Sequence, residues 1–140
     1  NYIVLFPFCS VHLMHKKWPH YNELINLIKN KFQNQFKIVV APGPSEIIDA
    51  NEINAICILN NGRALDISQL SSLINDSSFV IANDTGPAHM ATHLNVKGIT
   101  LFGQHTTADK VSIERDNFKA IQVSDLSKLS ANKVMEKILI

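Results

Sequence analysis

The sequence is poor in the features that mark several special classes of protein. Its 140 residues include two cysteines, Cys9 and Cys57, far apart in the chain, so we expect reduced core thiols and not a disulfide framework. The net charge of +1 provides no broad basic surface, so we expect no nucleic-acid partner. No apolar run approaches the roughly 20 residues of a membrane span. These absences favour a cytoplasmic globular domain, and the start at Asn1, directly before an apolar run, suggests a piece of a longer protein.

Glycine is scarce as well, with five residues, and none of them follows the first apolar run, residues 2–6. A dinucleotide-dependent oxidoreductase would carry G-x-G-x-x-G at that point. The chain reads Pro7-Phe8-Cys9-Ser10 instead. This absence argues against that class of enzyme.

Apolar runs typical of buried strands alternate with helical patterns from end to end. The predicted strands are residues 2–6, 36–41, 56–59, 79–82, 98–102 and, more weakly, 119–123. The predicted helices are residues 19–32, 45–51 and 66–75, one from Thr85 or Gly86 to about Asn95, and a last one that begins at Ser130. The alternation predicts an α/β fold: a three-layer, Rossmann-like open parallel sheet with helices on both faces.

The most informative stretch is FVIANDTGPAHMAT, residues 79–92, which reads as a strand, a tight turn and the start of a helix. Pro87 suits the first helical turn, where its missing N–H would have had no partner. This geometry directs backbone N–H groups and the positive end of the helix dipole at one spot, where phosphate can bind. The alternative is an ordinary strand-to-helix turn that binds nothing.

Ligands of such sheets bind beyond the carboxyl ends of the strands. Four predicted loops lie at that edge: residues 7–17, 42–46, 83–89 and 103–110. His89 and His93 have the i, i+4 spacing of a zinc-binding helix, but no third ligand is near in sequence, so no metal site is predicted.

Two separated motifs carry a resemblance to a known family. HKKWP (residues 15–19), NDTGPAHMA (residues 83–91) and the strand that ends in Leu101-Phe102-Gly103 resemble glycosyltransferase family 9, the bacterial heptosyltransferases of lipopolysaccharide core biosynthesis. The resemblance implies one half of a GT-B glycosyltransferase. Residues 1–140 would be its C-terminal nucleotide-sugar-binding domain, and the N-terminal acceptor and catalytic domain would be absent.

The resemblance also implies the reaction and its partners. The donor would be ADP-L-glycero-β-D-manno-heptose, transferred with inversion, and no cofactor or metal would be tightly bound. The general base would be an Asp of the missing domain, which also meets a lipid-linked saccharide acceptor, so this fragment alone is expected to be inactive. The full enzyme would work at the cytoplasmic face of the bacterial inner membrane and could associate with that membrane peripherally.

Matching positions suggest roles for individual residues in phosphate binding. Lys16 corresponds to the family's phosphate-binding lysine and would stabilise the charge that grows on the leaving group. Thr85 and Gly86 would offer backbone N–H groups to the phosphates, and Thr85 its hydroxyl as well. Gly86 has no side chain to keep a ligand away. Ser10 aligns with hydroxyl residues that touch phosphate, although Phe8 and Cys9 stand where glycine and a small polar residue are usual.

The other matching positions concern the sugars. Asp84 would bond heptose hydroxyls or tie down its own turn, beside Pro87, which completes the motif. His89 would donate to phosphate or sugar, or else pack against the sheet. Glu46 would accept bonds from the ribose hydroxyls, or else complement a helix dipole. A nucleotide-binding module or degenerate half-enzyme without transferase activity is the alternative reading of the same residues.

Overall fold

In residues 1–9, 16–104 and 112–140, which the computed structural model describes, six strands form one sheet. The strands are β1 (Tyr2–Phe6), β2 (Lys37–Val40), β3 (Ile56–Cys57), β4 (Phe79–Asn83), β5 (Gly98–Phe102) and β6 (Phe118–Gln122). The α-helices that connect or follow them include α1 (Tyr21–Lys31), α2 (Ile67–Asn75), α3 (Gly86–His93) and α4 (Ala131–Glu136). The predicted alternation of strands and helices is confirmed.

Every neighbouring pair of strands is parallel, and their order across the sheet is β3-β2-β1-β4-β5-β6. Strands β2 and β3 therefore lie on one side of β1, and β4, β5 and β6 lie on the other side. The loops after β1 and β4 consequently diverge at the carboxyl edge, and in sheets of this kind the crevice between them is the usual ligand site.

Side chains of each central strand enter two separate cores. Ile3 and Leu5 of β1 pack on the face covered by α1 and α4, whereas Val4 and Phe6 pack on the face covered by α2 and α3. Strands β4 and β5 are buried along their whole length. Burial on both faces explains why these strands read as continuous apolar runs, and the result is the predicted three-layer α/β architecture.

The helix ends largely follow the sequence signals. Asp66 accepts a hydrogen bond from the Gln69 N–H at 2.8 Å while the Gln69 side chain accepts from the Asp66 N–H, which completes a capping box at the start of α2. Ser130 caps α4 by accepting from the Lys133 N–H. Asn95, at the predicted end of the helix, adopts a left-handed conformation after α3, with φ of 58°.

Two predicted elements were wrong in detail. Residues 45–51 do not form an α-helix that Ser45 caps; turns lead instead into a 3₁₀ helix, Asp49–Glu52. The predicted strand over residues 56–59 is paired only at Ile56–Cys57. Its neighbour β2 runs into Pro42, which has no N–H to extend the ladder, so the pairing cannot continue.

None of the helices in the described parts of the chain combines the length and the apolar character that crossing a membrane requires.

The sheet leaves no space for a side chain at Gly98. A Cβ at this position would lie 2.6 Å from the Val80 carbonyl oxygen and 2.6 Å from a ring carbon of Phe118, and the backbone atom cannot move aside. We expect Gly98→Ala to lower the free energy of unfolding by about 1–3 kcal/mol, measured by urea denaturation. Gly86→Ala is the matched control, because a Cβ there meets nothing within 4 Å. Equal midpoints for the two variants would contradict the packing argument.

Candidate functional site

The turn between β4 and α3 forms one wall of the site. Thr85 is the N-cap of α3 with extended backbone angles, φ −144° and ψ 171°, but its side chain makes no capping hydrogen bond. The Thr85 hydroxyl donates instead to the Asn83 carbonyl oxygen over a long 3.3 Å. Gly86 follows and is exposed. The helix N-terminus is therefore open at the carboxyl edge of the sheet, where an anion is favoured.

Lys16 reaches this turn from the connection after β1. Its Nζ lies 3.3 Å from Oδ2 of Asp84, whose side chain is 7% exposed, while that of Lys16 is 22% exposed. The fold thus brings together two predicted residues that are 68 positions apart in the chain. Asp84 directly precedes Thr85, so a cation, a carboxylate and a helix N-terminus occupy neighbouring positions.

Trp18 anchors the chain just after Lys16. Its indole N–H donates to the Leu129 carbonyl oxygen at 2.8 Å, and its ring meets Tyr21 edge-on at a centroid distance of 5.0 Å. His20 adds a second bond from this segment to the same region, at 2.8 Å from the Ser127 carbonyl oxygen. Trp18 is buried, so it serves as a core residue and not as a platform for a base.

A cleft of about 280 Å³ lies between the loops after β1, β2 and β4 and the start of α2. Its lining is mostly apolar, with the polar side chains of a glutamate, a threonine and a cysteine. The lining residues are Phe6, Phe8, Cys9, Ala41, Pro42, Gly43, Glu46, Leu65, Leu70, Thr85 and Pro87. An apolar pocket with a few convergent polar groups is typical of a small-molecule site.

Glu46 is held in a defined orientation within this cleft. Its Oε1 accepts a hydrogen bond from the Gly43 N–H at 2.8 Å. The residue does not begin an α-helix, so the alternative role of complementing a helix dipole is not supported. A fixed carboxylate at the edge of an apolar cleft is suited to accept bonds from ligand hydroxyls.

Cys9 adds a thiol to the wall of the cleft. Burial raises the pKa of the Cys9 thiol above its ordinary value; the Lys17 ammonium opposes this shift, the Glu46 carboxylate adds to it, and the Lys16 ammonium opposes it. The thiol is therefore mostly protonated at neutral pH.

The remaining predicted residues are distributed around the cleft. Pro87 lines it, and His89 lies half-buried on α3 outside the lining. Ser10 lies outside the described residues, as do residues 105–110 of the fourth predicted loop. Among residues 1–9, 16–104 and 112–140, no group of three His, Cys, Asp or Glu side chains could hold a metal ion. The roles assigned to single residues from the sequence stay predictions.

Sequence reasoning missed two residues at this edge. Asn83 is completely buried, and its Oδ1 accepts a hydrogen bond from the Tyr21 hydroxyl at 2.9 Å. In the sequence, Tyr21 is one of the periodic apolar residues of the helix predicted over residues 19–32, and nothing local marks it as a hydrogen-bond donor. A polar residue at the end of an apolar strand was a signal for Asn83, but nothing local reveals a partner 62 residues away.

Comparisons with known proteins agree with the fold. Residues 1–138 match the model of glycosyltransferase family 9 (heptosyltransferase). The E. coli heptosyltransferase WaaC, solved with ADP and with ADP-2-deoxy-2-fluoro heptose, is similar in structure, with TM-scores of 0.79 and 0.78 and identities of 24% and 23%. These two alignments cover 96% of this chain and 42% and 41% of WaaC.

Two further solved structures share the fold. E. coli ADP-heptose lps heptosyltransferase II aligns with a TM-score of 0.78 and 20% identity, over 97% of this chain and 44% of that one. A family 9 glycosyl transferase from Veillonella parvula aligns with a TM-score of 0.64 and 19% identity, over 100% of this chain and 40% of that one. This chain thus spans about two fifths of these structures. No curated protein sequence matches it significantly.

The ion pair makes a prediction about stability. Lys16→Ala leaves the carboxylate of Asp84 buried without its lysine, so we expect the free energy of unfolding to fall by about 1–3 kcal/mol. Asp84→Asn in the Lys16→Ala background should recover most of that loss, because an amide needs no counterion. Urea denaturation checks both changes, with the exposed neighbour Lys17→Ala as control. An unchanged stability in Lys16→Ala would show that the pair contributes nothing.

Proposed function

We propose that this chain, which belongs to glycosyltransferase family 9, is the C-terminal donor-binding domain of a GT-B enzyme that transfers heptose from ADP-heptose. The observation that carries the proposal is the meeting of Lys16 with the Asp84–Gly86 turn beside a cleft that holds Glu46. A cation and a helix N-terminus suit a diphosphate, and a fixed carboxylate beside apolar walls suits a nucleoside. WaaC, which has a similar fold, was solved with ADP, and this supports adenine as the base.

The proposed chemistry follows from where charge develops. The acceptor hydroxyl attacks the anomeric carbon from the face opposite the nucleotide, and the bond from that carbon to the diphosphate oxygen breaks. ADP leaves with the electron pair of that bond, so negative charge grows on the diphosphate. The ammonium of Lys16 and the open N-terminus of α3 are suited to stabilise this charge.

The acceptor side of the reaction is assigned to a domain beyond this chain. The base that takes the proton from the acceptor hydroxyl would belong to an N-terminal domain, as the family resemblance implies, and the acceptor would be a lipid-linked saccharide. We also propose that the complete enzyme is located at the cytoplasmic face of a bacterial inner membrane. This chain alone is then expected to bind donor or ADP without turnover.

One observation favours a second candidate, a nucleotide-binding module without transferase activity. Phe8 and Cys9 line the cleft at positions where the family usually has glycine and a small polar residue. Phe8 and Cys9 are bulkier than those residues, so the cleft would admit a nucleotide more easily than a nucleotide that also carries a sugar. Transfer of heptose by the complete protein would decide against this candidate.

Calorimetric titration with ADP tests the donor site. We expect ADP to bind with a Kd between roughly 1 μM and 1 mM. Lys16→Ala should weaken binding roughly 10- to 100-fold, since a hydrogen bond to a charged group contributes about 1.5–3 kcal/mol, and Thr85→Ala should weaken it less. Lys17→Ala is the matched control: the same charge is removed one position away, at an exposed side chain.

The possible results separate the parts of the proposal. No binding of ADP, UDP or NAD by the wild-type chain would contradict the donor site. A preference for UDP would change the base and keep the transferase. Equal losses in Lys16→Ala and Lys17→Ala would reduce the effect to net charge and remove the specific role of Lys16.

The two cysteines provide an independent check of where the nucleotide lies. Both are free and half-buried, and burial raises the pKa of each thiol, but only Cys9 lines the cleft. At ADP concentrations about ten times Kd, we expect alkylation of Cys9 by iodoacetamide to slow roughly tenfold, because the free protein alone reacts. Cys57 should react at an unchanged rate. Mass spectrometry of the two peptides measures both rates, and protection of neither or of both would place the nucleotide outside this cleft.

A further inference from the structure

One buried amide joins the two ends of the connection between β1 and α1 to the last residue of β4. The Asn83 side chain donates from Nδ2 to the Pro7 carbonyl oxygen at 2.9 Å, at the start of that connection. Its Oδ1 accepts from the Tyr21 hydroxyl at 2.9 Å, at the first residue of α1. Because Asn83 belongs to a central strand and is completely buried, both ends of the connection are held against the rigid middle of the sheet.

Asp84, which follows Asn83, contacts the connection between β1 and α1 at a third point. Asp84 lies 3.3 Å from the ammonium of Lys16, which is part of the connection between Pro7 and Tyr21. Two consecutive residues therefore contact the connection at its start, near its end and at the lysine itself. Three contacts thus join the connection and its two ends to the two residues that precede Thr85, the N-cap of α3.

Tyr21 is well suited to be a fixed partner in this arrangement. It is 2% exposed, and Trp18 packs edge-on against its ring. Burial first, and the nearby Cys9 thiol second, raise the pKa of the phenol well above its ordinary value, so the hydroxyl keeps its proton and donates. A phenol held by its ring and by its hydroxyl cannot shift without breaking buried contacts.

We propose that Asn83 and Tyr21 are positioning residues for Lys16: they set where its ammonium stands beside the Thr85–Gly86 turn, and thereby the affinity for a diphosphate. Neither side chain is accessible to a ligand, since they are 0% and 2% exposed, so they act through Lys16. This inference rests on the proposed function, because it takes the ligand to be a nucleoside diphosphate. It adds two residues that lie behind the site to those that line it.

Tyr21→Phe tests the inference, since it removes the hydroxyl and keeps the ring. We expect ADP to bind roughly tenfold more weakly, because a lysine displaced by a fraction of an ångström loses its alignment. The chain offers a matched control in its other tyrosine: the Tyr2 hydroxyl donates to the Leu73 carbonyl oxygen at 2.6 Å, and Tyr2 begins β1 at the opposite edge of the sheet. Tyr2→Phe should leave the Kd for ADP unchanged.

A double-mutant cycle separates positioning from general loss of structure. In the Lys16→Ala background, Tyr21→Phe should cause no further loss of ADP affinity, because the group that it positions is gone. The same loss with and without Lys16, or a loss in Tyr2→Phe as large as in Tyr21→Phe, would overturn the inference. Asn83→Leu removes both bonds without adding a charge, and any loss of ADP affinity in it should show the same dependence on Lys16.

The wild-type titration distinguishes two kinds of failure. If the wild-type chain binds none of ADP, UDP and NAD, the proposed function fails and the inference fails with it. If the wild-type chain binds ADP and Lys16→Ala weakens binding while Tyr21→Phe does not, the proposed function stands and the positioning role alone is refuted.

Discussion

The parallel pairing of β1 with β4 is the constraint on which the site depends. Its register sets Phe6 opposite Ala82, so the chain leaves both strands at the same level. From there the two connections diverge, because β2 lies on one side of the pair and β5 on the other. Two parts of the site follow these strand ends: the connection that carries Lys16 after β1, and the helix N-terminus after β4. A sheet with another strand order would separate them.

Buried polar groups fix the arrangement of the chain where the end of β4 meets the connection after β1. An amide inside a core is unfavourable unless its donors and acceptors are paired, and the Asn83 side chain is paired on both sides. The carboxylate of Asp84 is likewise nearly buried, and the ammonium of Lys16 stands against it. Such a pair holds the lysine in place before any ligand arrives, which reduces the ordering that binding requires. Under the proposed function, an incoming diphosphate would have to share Lys16 with Asp84.

The cleft beside this junction combines an apolar wall with a charged edge. Leu65 and Leu70 from the start of α2 and Phe8 from the loop after β1 supply apolar surface, and Glu46 supplies the carboxylate. The orientation of Glu46 comes from its own loop, through the Gly43 N–H, and not from a helix. Specificity for one nucleotide or sugar over another would therefore depend on loop residues, which vary without disturbing the sheet.

The sequence by itself determined most of the elements, apart from the helix predicted over residues 45–51 and the length of β3. Strands buried on both faces read as apolar runs, and Asp66, Ser130 and Asn95 marked helix ends because caps are local contacts. Tertiary structure decided what local contacts cannot: the strand order, the shortening of β3 beside Pro42, and the meeting of Lys16 with Asp84. The bond from Tyr21 to Asn83 spans 62 residues and exists only once β1 and β4 pair, so no local pattern could reveal it.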